Sequence, residues 1–210
     1  PRWLGGPRDP DTCVAATHGR LLLRQPNDSD IAQVLRWRNA PELGRWLLST
    51  TVDPQAYRKA WRAASDDHRF AALAGDRVIG TCTLDIRDAM GQPAARGEPW
   101  RGAEAPIGYL LEPRVTGQGY GTEMVRAMLE IAFDDVGLHR VTGSCFADNT
   151  GSWRVMEKAG MRREQYGVQD SWHAEHGWVD GCRRDLRSEW EGSEGQRVAA
   201  GWGSRRSAEV

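Results

Sequence analysis

The stretch at residues 107–123, IGYLLEPRVTGQGYGTE, constrains the fold of this chain more than any other. It begins with an apolar run that predicts a strand, which Pro113 ends. A loop follows with glycine at every second position, Gly117, Gly119 and Gly121, and then a predicted amphipathic helix over 122–134. Such a unit presents unpaired amides and the positive end of a helix dipole, so it predicts an anion site, with phosphate or pyrophosphate as the expected anion.

The spacing of these glycines argues against two common phosphate motifs. A P-loop needs a Gly-Lys-Ser/Thr ending, and this loop contains no lysine. The dinucleotide fingerprint G-x-G-x-x-G needs its third glycine one residue later than Gly121. Taken alone, the loop is equally compatible with a plain strand-to-helix turn.

Composition bounds the class of protein. A chain of 210 residues suits one domain with a real core, and its net charge of −1 gives no electrostatic support for nucleic acid or a membrane surface as a partner. The four cysteines (Cys13, Cys82, Cys145 and Cys182) lie far apart, which predicts neither a disulfide framework nor a zinc site and favours a reducing cytoplasm. No apolar run reaches membrane length, and a signal-peptide core is absent from the first residues.

The chain divides into three parts by composition. Residues 1–18 are rich in proline and glycine and predict a flexible extension, residues 19–190 predict one domain, and residues 191–210 predict a disordered tail. Before the central unit we expect a strand at 20–24, helices at 30–38 and 54–64, and a hairpin of strands 70–73 and 78–86. Residues 87–104 break every periodicity and predict a long surface loop, either a lid or disordered.

After the central unit the pattern predicts a strand at 140–146, a short helix at 152–159 capped by Asn149 or Ser152, and strands at 160–166 and 178–187. The order of elements indicates an α/β fold. We expect a single domain with a mixed, mostly antiparallel twisted sheet flanked by helices.

Four ordered motifs carry a resemblance to a known family. They are Ile107-Gly108-Tyr109, then GQGYGTE at 117–123, N-T-G-S at 149–152, and E-K-A-G-M at 157–161. With this spacing the chain resembles the GNAT acetyltransferases, and within them the Rim-type branch that acetylates protein N-termini and related amines. The resemblance covers roughly residues 19–190. It implies the GNAT fold, acetyl-CoA as cofactor and a cytoplasmic enzyme, and it is compatible with a homodimer.

The resemblance also implies the residues that hold coenzyme A. The strand splays from its neighbour, so that its free amides pair with pantetheine, while the loop binds the pyrophosphate and Asn149 and Ser152 contact the pantetheine arm. The cofactor-binding set implied in this way is Ile107, Tyr109, Leu110, Leu111, Thr116, Gly117, Gln118, Gly119, Tyr120, Gly121, Thr122, Asn149 and Ser152.

Two positions depart from the family pattern. The phosphate loop usually opens with arginine or glutamine, and here that residue is Thr116, with Arg114 as a substitute source of charge. Many GNAT enzymes place a tyrosine in the helix after the asparagine to reprotonate the thiolate, and here the matching residue is Met156. The Rim-type branch often lacks that tyrosine.

Acetyl transfer to an amine also needs a group that accepts the proton of the amine. Glu104 is the preferred carboxylate because it precedes the central strand on the same alternation as Gly108, and a solvated loop glutamate is the competing interpretation. Asp85 and Glu164 are rivals. Ser144 and Cys145 are candidates to assist protonation, although a buried cysteine is more often inert packing.

The acceptor side is the least determined part. Trp37 and Arg38 resemble the W-R-N stretch of the Rim-type branch, which lies near the acceptor pocket, and with Asp85 they form the predicted substrate-binding set; core packing of Trp37 is the alternative. His173 and His176 lack the spacing of a metal motif, and we expect no metal. The ten tryptophans fit aromatic walls around an acceptor or ordinary packing equally well.

The functional hypothesis is therefore acetyl-CoA-dependent N-acetylation of a primary amine. A peptide or protein N-terminus is the favoured acceptor, and a small-molecule amine such as an antibiotic or a biosynthetic intermediate is the alternative. A non-catalytic acyl-CoA-binding module is a third hypothesis, since the match for a base is loose. The glycine spacing disfavours a general nucleotide-binding protein.

Overall fold

A computed structural model describes residues 14–63, 68–93 and 97–187 of the chain. Within these residues, eight strands form one mixed sheet in the order β1-β2-β3-β4-β5-β6-β8-β7. Neighbouring strands are antiparallel except β5 and β6, which are parallel. The strands are β1 (Val14–His18), β2 (Leu21–Arg24), β3 (Arg69–Ala74), β4 (Arg77–Leu84), β5 (Glu104–Leu111), β6 (Arg140–Phe146), β7 (Arg162–His173) and β8 (Gly177–Arg187). The predicted fold class is confirmed.

The helices begin where the sequence provides caps. Asn27 accepts a hydrogen bond from the Asp30 amide while the Asp30 side chain accepts from the Asn27 amide, which fixes the start of the first helix. Pro41 and Pro54 begin the next two at a position where a missing amide hydrogen costs nothing. The helices are α1 (Asp28–Leu35), α2 (Pro41–Gly44), α3 (Pro54–Ala63), α4 (Tyr120–Glu130) and α5 (Thr150–Lys158), and a π-helical segment, Ile131–Val136, prolongs α4.

The two faces of the sheet carry different layers. Helix α4 buries Met124, Met128 and Leu129 in the larger core, on the face that also carries Ile107 and Met156. Helices α1 and α3 pack on the opposite face through Val34 and Tyr57. Fully burying side chains of this size contributes roughly 1.5–3 kcal/mol each. The parallel strands β5 and β6 therefore have the larger core on the face that α4 covers. We call the opposite face, which carries the smaller core, the open face.

Several boundaries differ from the predicted ones. Residues 14–18, predicted as part of a flexible extension, form β1 and pair with β2, because the edge of β2 offers backbone partners that the local composition does not reveal. The β7–β8 hairpin runs beyond the end of β6, so its outer half is solvated and lacks the apolar alternation of a strand. The first thirteen residues and the predicted tail at 191–210 lie outside the described residues.

The predicted surface loop at 87–104 is anchored at its base. Arg87 and Glu104 form an isolated antiparallel bridge, and the Ala89 amide donates to the Trp100 carbonyl at 2.8 Å. Further in, the Gly102 amide donates to the Asp88 carboxylate at 2.7 Å. In the described part of the chain, no helix is long and apolar enough to cross a membrane.

Candidate active site

The parallel strands β5 and β6 separate part-way along their length, and we call the gap between them the cleft. Within the described part of the chain, the pairing of these strands ends at Pro106 and Thr142, although both strands continue. The Asp85 amide donates to the Pro106 carbonyl, and the Glu112 amide donates to Ile79, so even-numbered residues of this stretch turn their backbone toward β4. By alternation, Tyr109 and Leu111 turn their amides into the cleft, whereas Leu110 turns its backbone away from it.

The glycine loop closes one end of this cleft. Gly117 and Gly119 have φ values of 78° and 90°, a left-handed region that favours glycine. Gly119 is the N-cap of α4 and contributes no capping side chain, and its carbonyl accepts from the amides of Thr122 and Glu123. Among the described residues, the Tyr120 and Gly121 amides are left without an acceptor at the positive end of the helix. This arrangement suits a phosphate group.

The loop is held internally by bonds to a turn of 3-10 helix at Pro113–Val115. The Thr116 hydroxyl donates to the Pro113 carbonyl at 2.8 Å, and the Gln118 side chain donates to the Arg114 carbonyl at 3.2 Å. Thr116 therefore uses its hydroxyl to shape the loop, and Arg114 remains exposed at its edge. Gly121 is buried, and an added Cβ there would come within 3.0 Å of the Val155 side chain, so glycine lets α4 approach α5.

Three polar side chains line the cleft on the α4 side. The Tyr109 hydroxyl lies 2.9 Å from the Ser152 hydroxyl and donates to the Ser152 carbonyl at 3.0 Å. The Asn149 side chain accepts from the Ser152 amide at 3.1 Å and thereby caps α5. Burial raises the pKa of Tyr109, so its hydroxyl stays protonated at neutral pH. The predicted pair Asn149 and Ser152 thus stands beside a strand residue that faces the cleft.

Ser144 and Cys145, both candidates for assisting protonation, point to opposite faces of β6. Cys145 packs against the larger core and lies directly across from Cys182 on β8, while Ser144 is exposed on the open face. Burial raises the pKa of Cys145 to about 11, with the neighbouring Cys182 adding to the shift. Only Cys145 shares the side of the cleft where Tyr109 and Ser152 meet.

Residues 20–162, well over half of the chain, match the family model described as the acetyltransferase (GNAT) domain. The chain belongs to this family. GNAT acetyltransferases use acetyl-CoA, which is the cofactor that the sequence motifs predicted. The predicted family and cofactor are confirmed at this level.

Individual relatives agree with the assignment. YnaD, an uncharacterized N-acetyltransferase of Bacillus subtilis (strain 168), is 34% identical over 84 residues, which are 40% of this chain and 49% of YnaD. The chain thus spans about half the length of that relative. The aminoglycoside N(6')-acetyltransferase type 1 of Klebsiella pneumoniae is 22% identical over 157 residues, covering 72% of this chain and 78% of its own sequence.

Solved structures show the same fold. Ribosomal-protein-S5-alanine acetyltransferase from Vibrio fischeri superposes with a TM-score of 0.68 at 16% identity, covering 83% of this chain and 97% of that chain. At this identity the likeness shows the fold alone, and a ribosomal-protein acetyltransferase is among the proteins that share it. The expected resemblance to the Rim-type GNAT proteins is confirmed.

In this GNAT protein the candidate base belongs to an ion-pair network at the closed end of the cleft. The Glu104 carboxylate lies 3.3 Å from Arg140 Nη1, and Arg140 also contacts Glu164 and lies 3.6 Å from Asp185. The rival Asp85 is exposed and accepts from Arg87 at 2.8 Å. Glu104 and Glu164 thus share one guanidinium, and Asp85 stands apart from both.

The acceptor-side candidates differ in burial. Trp37 packs against the smaller core with Val34 and Leu73, as the packing interpretation expected. The Arg38 residue is only 6% exposed; its Nη2 donates to the Ser49 carbonyl at 2.9 Å, while Nη1 finds no partner within the described residues. Burial lowers the pKa of Arg38, and the guanidinium remains charged at neutral pH because its ordinary pKa is so high.

His173, whose spacing from His176 did not favour a metal site, is the last residue of β7 and lies at the far end of the open face. Its Nε2 lies 2.9 Å from the Arg45 carbonyl, its Nδ1 accepts from the Glu175 amide, and its ring stacks on His176. Both ring nitrogens are therefore engaged within the protein. This contact ties the β7–β8 hairpin to the segment that follows α2.

Sequence reasoning missed one residue that touches the loop. Arg20, directly before β2, contacts Gln118 and Glu123, which are about a hundred positions away in the chain. No local pattern marks such a contact, because a single exposed arginine after a glycine is typical of any turn. Its position follows only from the pairing of β1 with β2 beside α4.

Proposed function

We propose that this protein is an acetyl-CoA-dependent N-acetyltransferase that acts on a primary amine. The observation that carries the proposal is the split between the parallel strands β5 and β6 directly before the glycine loop and the N-terminus of α4. A single stretch of backbone thereby offers cleft-facing amides at Tyr109 and Leu111 and helix-terminal amides at Tyr120 and Gly121. This order matches a ligand with an amide-bearing arm followed by a diphosphate.

The residues fit coenzyme A in their chemistry. When bound, acetyl-CoA supplies an activated acetyl group on a thioester. The Tyr109 and Leu111 amides hold the pantetheine arm as an added strand would, and the amide nearest the thioester carbonyl polarises it. The loop from Thr116 to Thr122 holds the diphosphate with Gly117, Gln118 and Gly119, while Asn149 and Ser152 bound the arm on the other side. Within the described residues, the side-chain nitrogen Nδ2 of Asn149 remains available as a donor, since its Oδ1 caps α5.

The proposed proton acceptor and the proposed proton donors lie on opposite faces of the sheet. Glu104 on the open face accepts the proton of the attacking amine, and Arg140 Nη1 lies 3.3 Å from its carboxylate. On the α4 side, the protonated Cys145 and the Ser152–Tyr109 pair would be the groups available to donate a proton to the coenzyme A thiolate. A thiolate is a good leaving group, so this side needs little acid catalysis.

The acceptor that we propose is the α-amine of a peptide or protein N-terminus. Arg38 supports it, because a buried guanidinium with a spare N–H suits a backbone carbonyl of an extended acceptor. The fold shared with the Vibrio fischeri ribosomal-protein acetyltransferase is in keeping with this proposal. Among the described residues, Cys82, Cys145 and Cys182 are free thiols, which fits a reducing compartment such as the cytoplasm.

A small-molecule amine is the second candidate acceptor. The Klebsiella pneumoniae relative acts on aminoglycosides by its name, and in this chain the His173–Arg45 contact closes one end of the open face, which would shorten the space for a long acceptor. Arg38 and Asp85 would then supply the polar groups that bind a compact acceptor.

The first experiment is calorimetric titration with acetyl-CoA, with coenzyme A and ATP as controls. Micromolar binding of acetyl-CoA and coenzyme A, with ATP much weaker, supports the cofactor site, and no binding overturns it. An acceptor screen follows, in which peptides varied at their second and third residues are compared with aminoglycosides and polyamines. Rates that change with those peptide residues support the N-terminal acceptor; turnover of small amines alone overturns it. Binding without turnover on any amine would indicate a non-catalytic acyl-CoA-binding module.

A further inference from the structure

The outer side of the glycine loop is in contact with one arginine from a distant part of the chain. Arg20 Nη2 donates to the Gln118 carbonyl at 2.8 Å, and Nε and Nη2 both donate to one Glu123 carboxylate oxygen, at 3.0 and 2.6 Å. The Arg20 amide donates to the other oxygen at 3.0 Å. The guanidinium also stacks over the Tyr120 ring at 4.1 Å from its centroid. One side chain thus binds three residues of the loop and the first turn of α4.

These contacts determine which way a peptide plane faces. A trans peptide is planar, with its carbonyl and the following N–H pointing in opposite directions. Because Arg20 holds the Gln118 carbonyl outward, the Gly119 N–H points to the opposite side of the loop, away from Arg20. Gly119 has a φ of 90° and would tolerate a negative φ equally well, so glycine by itself does not prevent this plane from flipping.

Arg20 also compensates an unfavourable charge. Glu123 lies in the first turn of α4, close to the amides of Tyr120 and Gly121, where an unpaired carboxylate would repel a second anion. Burial tends to raise the pKa of Glu123, and the hydrogen bonds from the Arg20 side chain and backbone outweigh it, so the pKa is lowered and the carboxylate stays ionised. Its charge is therefore balanced by Arg20 and not left facing the loop.

We propose that Arg20 is a positioning residue for the cofactor diphosphate: it fixes the Gln118–Gly119 peptide and neutralises Glu123, so that the loop presents only donors to the ligand. The inference rests on the proposed coenzyme A site. Arg20 acts through the loop backbone and needs no contact with the acetyl group. It should therefore govern affinity for ligands that carry the diphosphate and leave the chemical step untouched.

The test compares wild type with Arg20→Ala and Arg20→Lys. Arg62→Ala is the matched control, because Arg62 is also exposed and forms a two-nitrogen pair with a carboxylate, Asp28, far from the loop. Coenzyme A affinity is measured by calorimetry. Steady-state kinetics are measured with acetyl-CoA and with S-acetylpantetheine, which lacks the diphosphate, and thermal unfolding is followed by circular dichroism.

We expect Arg20→Ala to weaken coenzyme A binding about 10-fold and to raise KM for acetyl-CoA similarly, with kcat unchanged within a factor of about two. Arg20→Lys should recover part of the loss, and Arg62→Ala should match wild type. With S-acetylpantetheine, kcat/KM should be the same for wild type and Arg20→Ala. Equal loss with both donors would assign Arg20 a merely structural role and overturn the inference, as would unchanged coenzyme A affinity in Arg20→Ala. Absence of coenzyme A binding by wild type would instead overturn the proposed function.

Discussion

The two sides of β5 hold their candidate groups by different means. On the α4 side the groups are mainly backbone amides, fixed by strand pairing, by two left-handed glycines and by the start of a helix. On the open side the groups are side chains: Glu104 is held by Arg140, and Arg38 is held by Ser49. The proposed cofactor side therefore comes mostly from one continuous stretch, with Asn149 and Ser152 added from the start of α5, whereas the proposed acceptor side is made by residues spread from 38 to 185.

This difference has a chemical reason. Every acetyl-CoA molecule offers the same amides and phosphates, so a fixed set of backbone donors suits all of them. Acceptors differ in shape and charge, and side chains on separate elements can be exchanged without disturbing the sheet. Substitutions should consequently separate the two sides, with cofactor affinity changing in one set and turnover or acceptor affinity in the other.

The largest effect is expected from Gly119→Glu. A non-glycine residue at a φ of 90° is strained by roughly 1–2 kcal/mol, and its Cβ would lie 3.4 Å from Arg20 Nη2, where the new carboxylate would compete with Glu123 and the Gln118 carbonyl for that guanidinium. We expect coenzyme A affinity to fall at least about 100-fold in calorimetry. The acceptor side should be intact, since its residues do not contact the loop.

Gly137→Glu is the control for that substitution. Gly137 has a φ of 78° at the far end of the π-helical segment, and an added Cβ there meets no atom within 4 Å. The Gly137→Glu variant therefore introduces similar backbone strain and the same charge, but its new side chain does not contact the glycine loop. Coenzyme A affinity should match wild type, and a comparable loss in both variants would mean that strain alone explains the first result.

The second prediction concerns turnover on the open side. Glu104→Gln should lower kcat about 100-fold, the lower end of what a general base contributes, with KM for acetyl-CoA unchanged. Glu164→Gln is the matched control because Glu104 and Glu164 contact the same Arg140. We expect its kcat to stay within a factor of about three. Similar losses of kcat in both variants would show that the charge of the ion-pair network is what turnover requires. Glu104 would then not be the general base.

The contrast also explains what the sequence could predict. The strand, the loop and α4 follow one another without a break, so apolar spacing and glycine positions predicted the order of this unit, although β5 begins at Glu104 instead of Ile107 and α4 spans Tyr120–Glu130 instead of 122–134. The π-helical turn at 131–136 was not predicted, because it continues the same apolar spacing as an α-helix. Strand β1 was missed because its residues, VAATH, carry no strand pattern of their own and pair only once β2 is in place.

The contacts of the candidate acceptor-side residues could not be predicted, because they join elements that are distant in the sequence. Glu104 is recognisable as a carboxylate near a strand, but its pairing with Arg140 depends on the parallel register of β5 and β6. Arg38 was named from family resemblance, while its buried and partly unpaired guanidinium follows from the fold of residues 36–52 over it. Tertiary contacts of this kind leave no periodic signal.

A moderate effect is expected from Arg38→Met. Losing the spare N–H should raise KM for the acceptor about 10-fold, roughly the worth of one hydrogen bond to a charged group, with KM for acetyl-CoA unchanged. Stability should change little, since replacing a buried, incompletely paired cation by an apolar side chain is often neutral. Arg36→Met, an exposed neighbour at the end of α1, should behave as wild type in both measurements. An unchanged acceptor KM in Arg38→Met would place the acceptor elsewhere.

The smallest effect is expected from substitution of Cys145, which lies on the α4 face of β6. Its neighbour Ser144, on the opposite face of the same strand, provides the comparison. With its pKa raised to about 11 by burial, the thiol is protonated at neutral pH, so it can donate a proton but is a poor nucleophile. Cys145→Ala should therefore lower kcat no more than about threefold, and Ser144→Ala on the opposite face should change it still less.

The pH dependence of Cys145 follows from the sign of this shift. Because the folded protein favours the protonated thiol, the thiolate fraction at pH 8 is only about one in a thousand, and it rises about tenfold per pH unit up to about pH 11. Alkylation of Cys145 by iodoacetamide, followed by peptide mass spectrometry, should show this slope, whereas an unperturbed thiol with a pKa of about 8.5 levels off more than two units earlier. Rapid alkylation at pH 8 would mean an activated thiolate in the cleft. In that case acetyl transfer through a covalent cysteine intermediate would have to be reconsidered in place of direct attack by the amine.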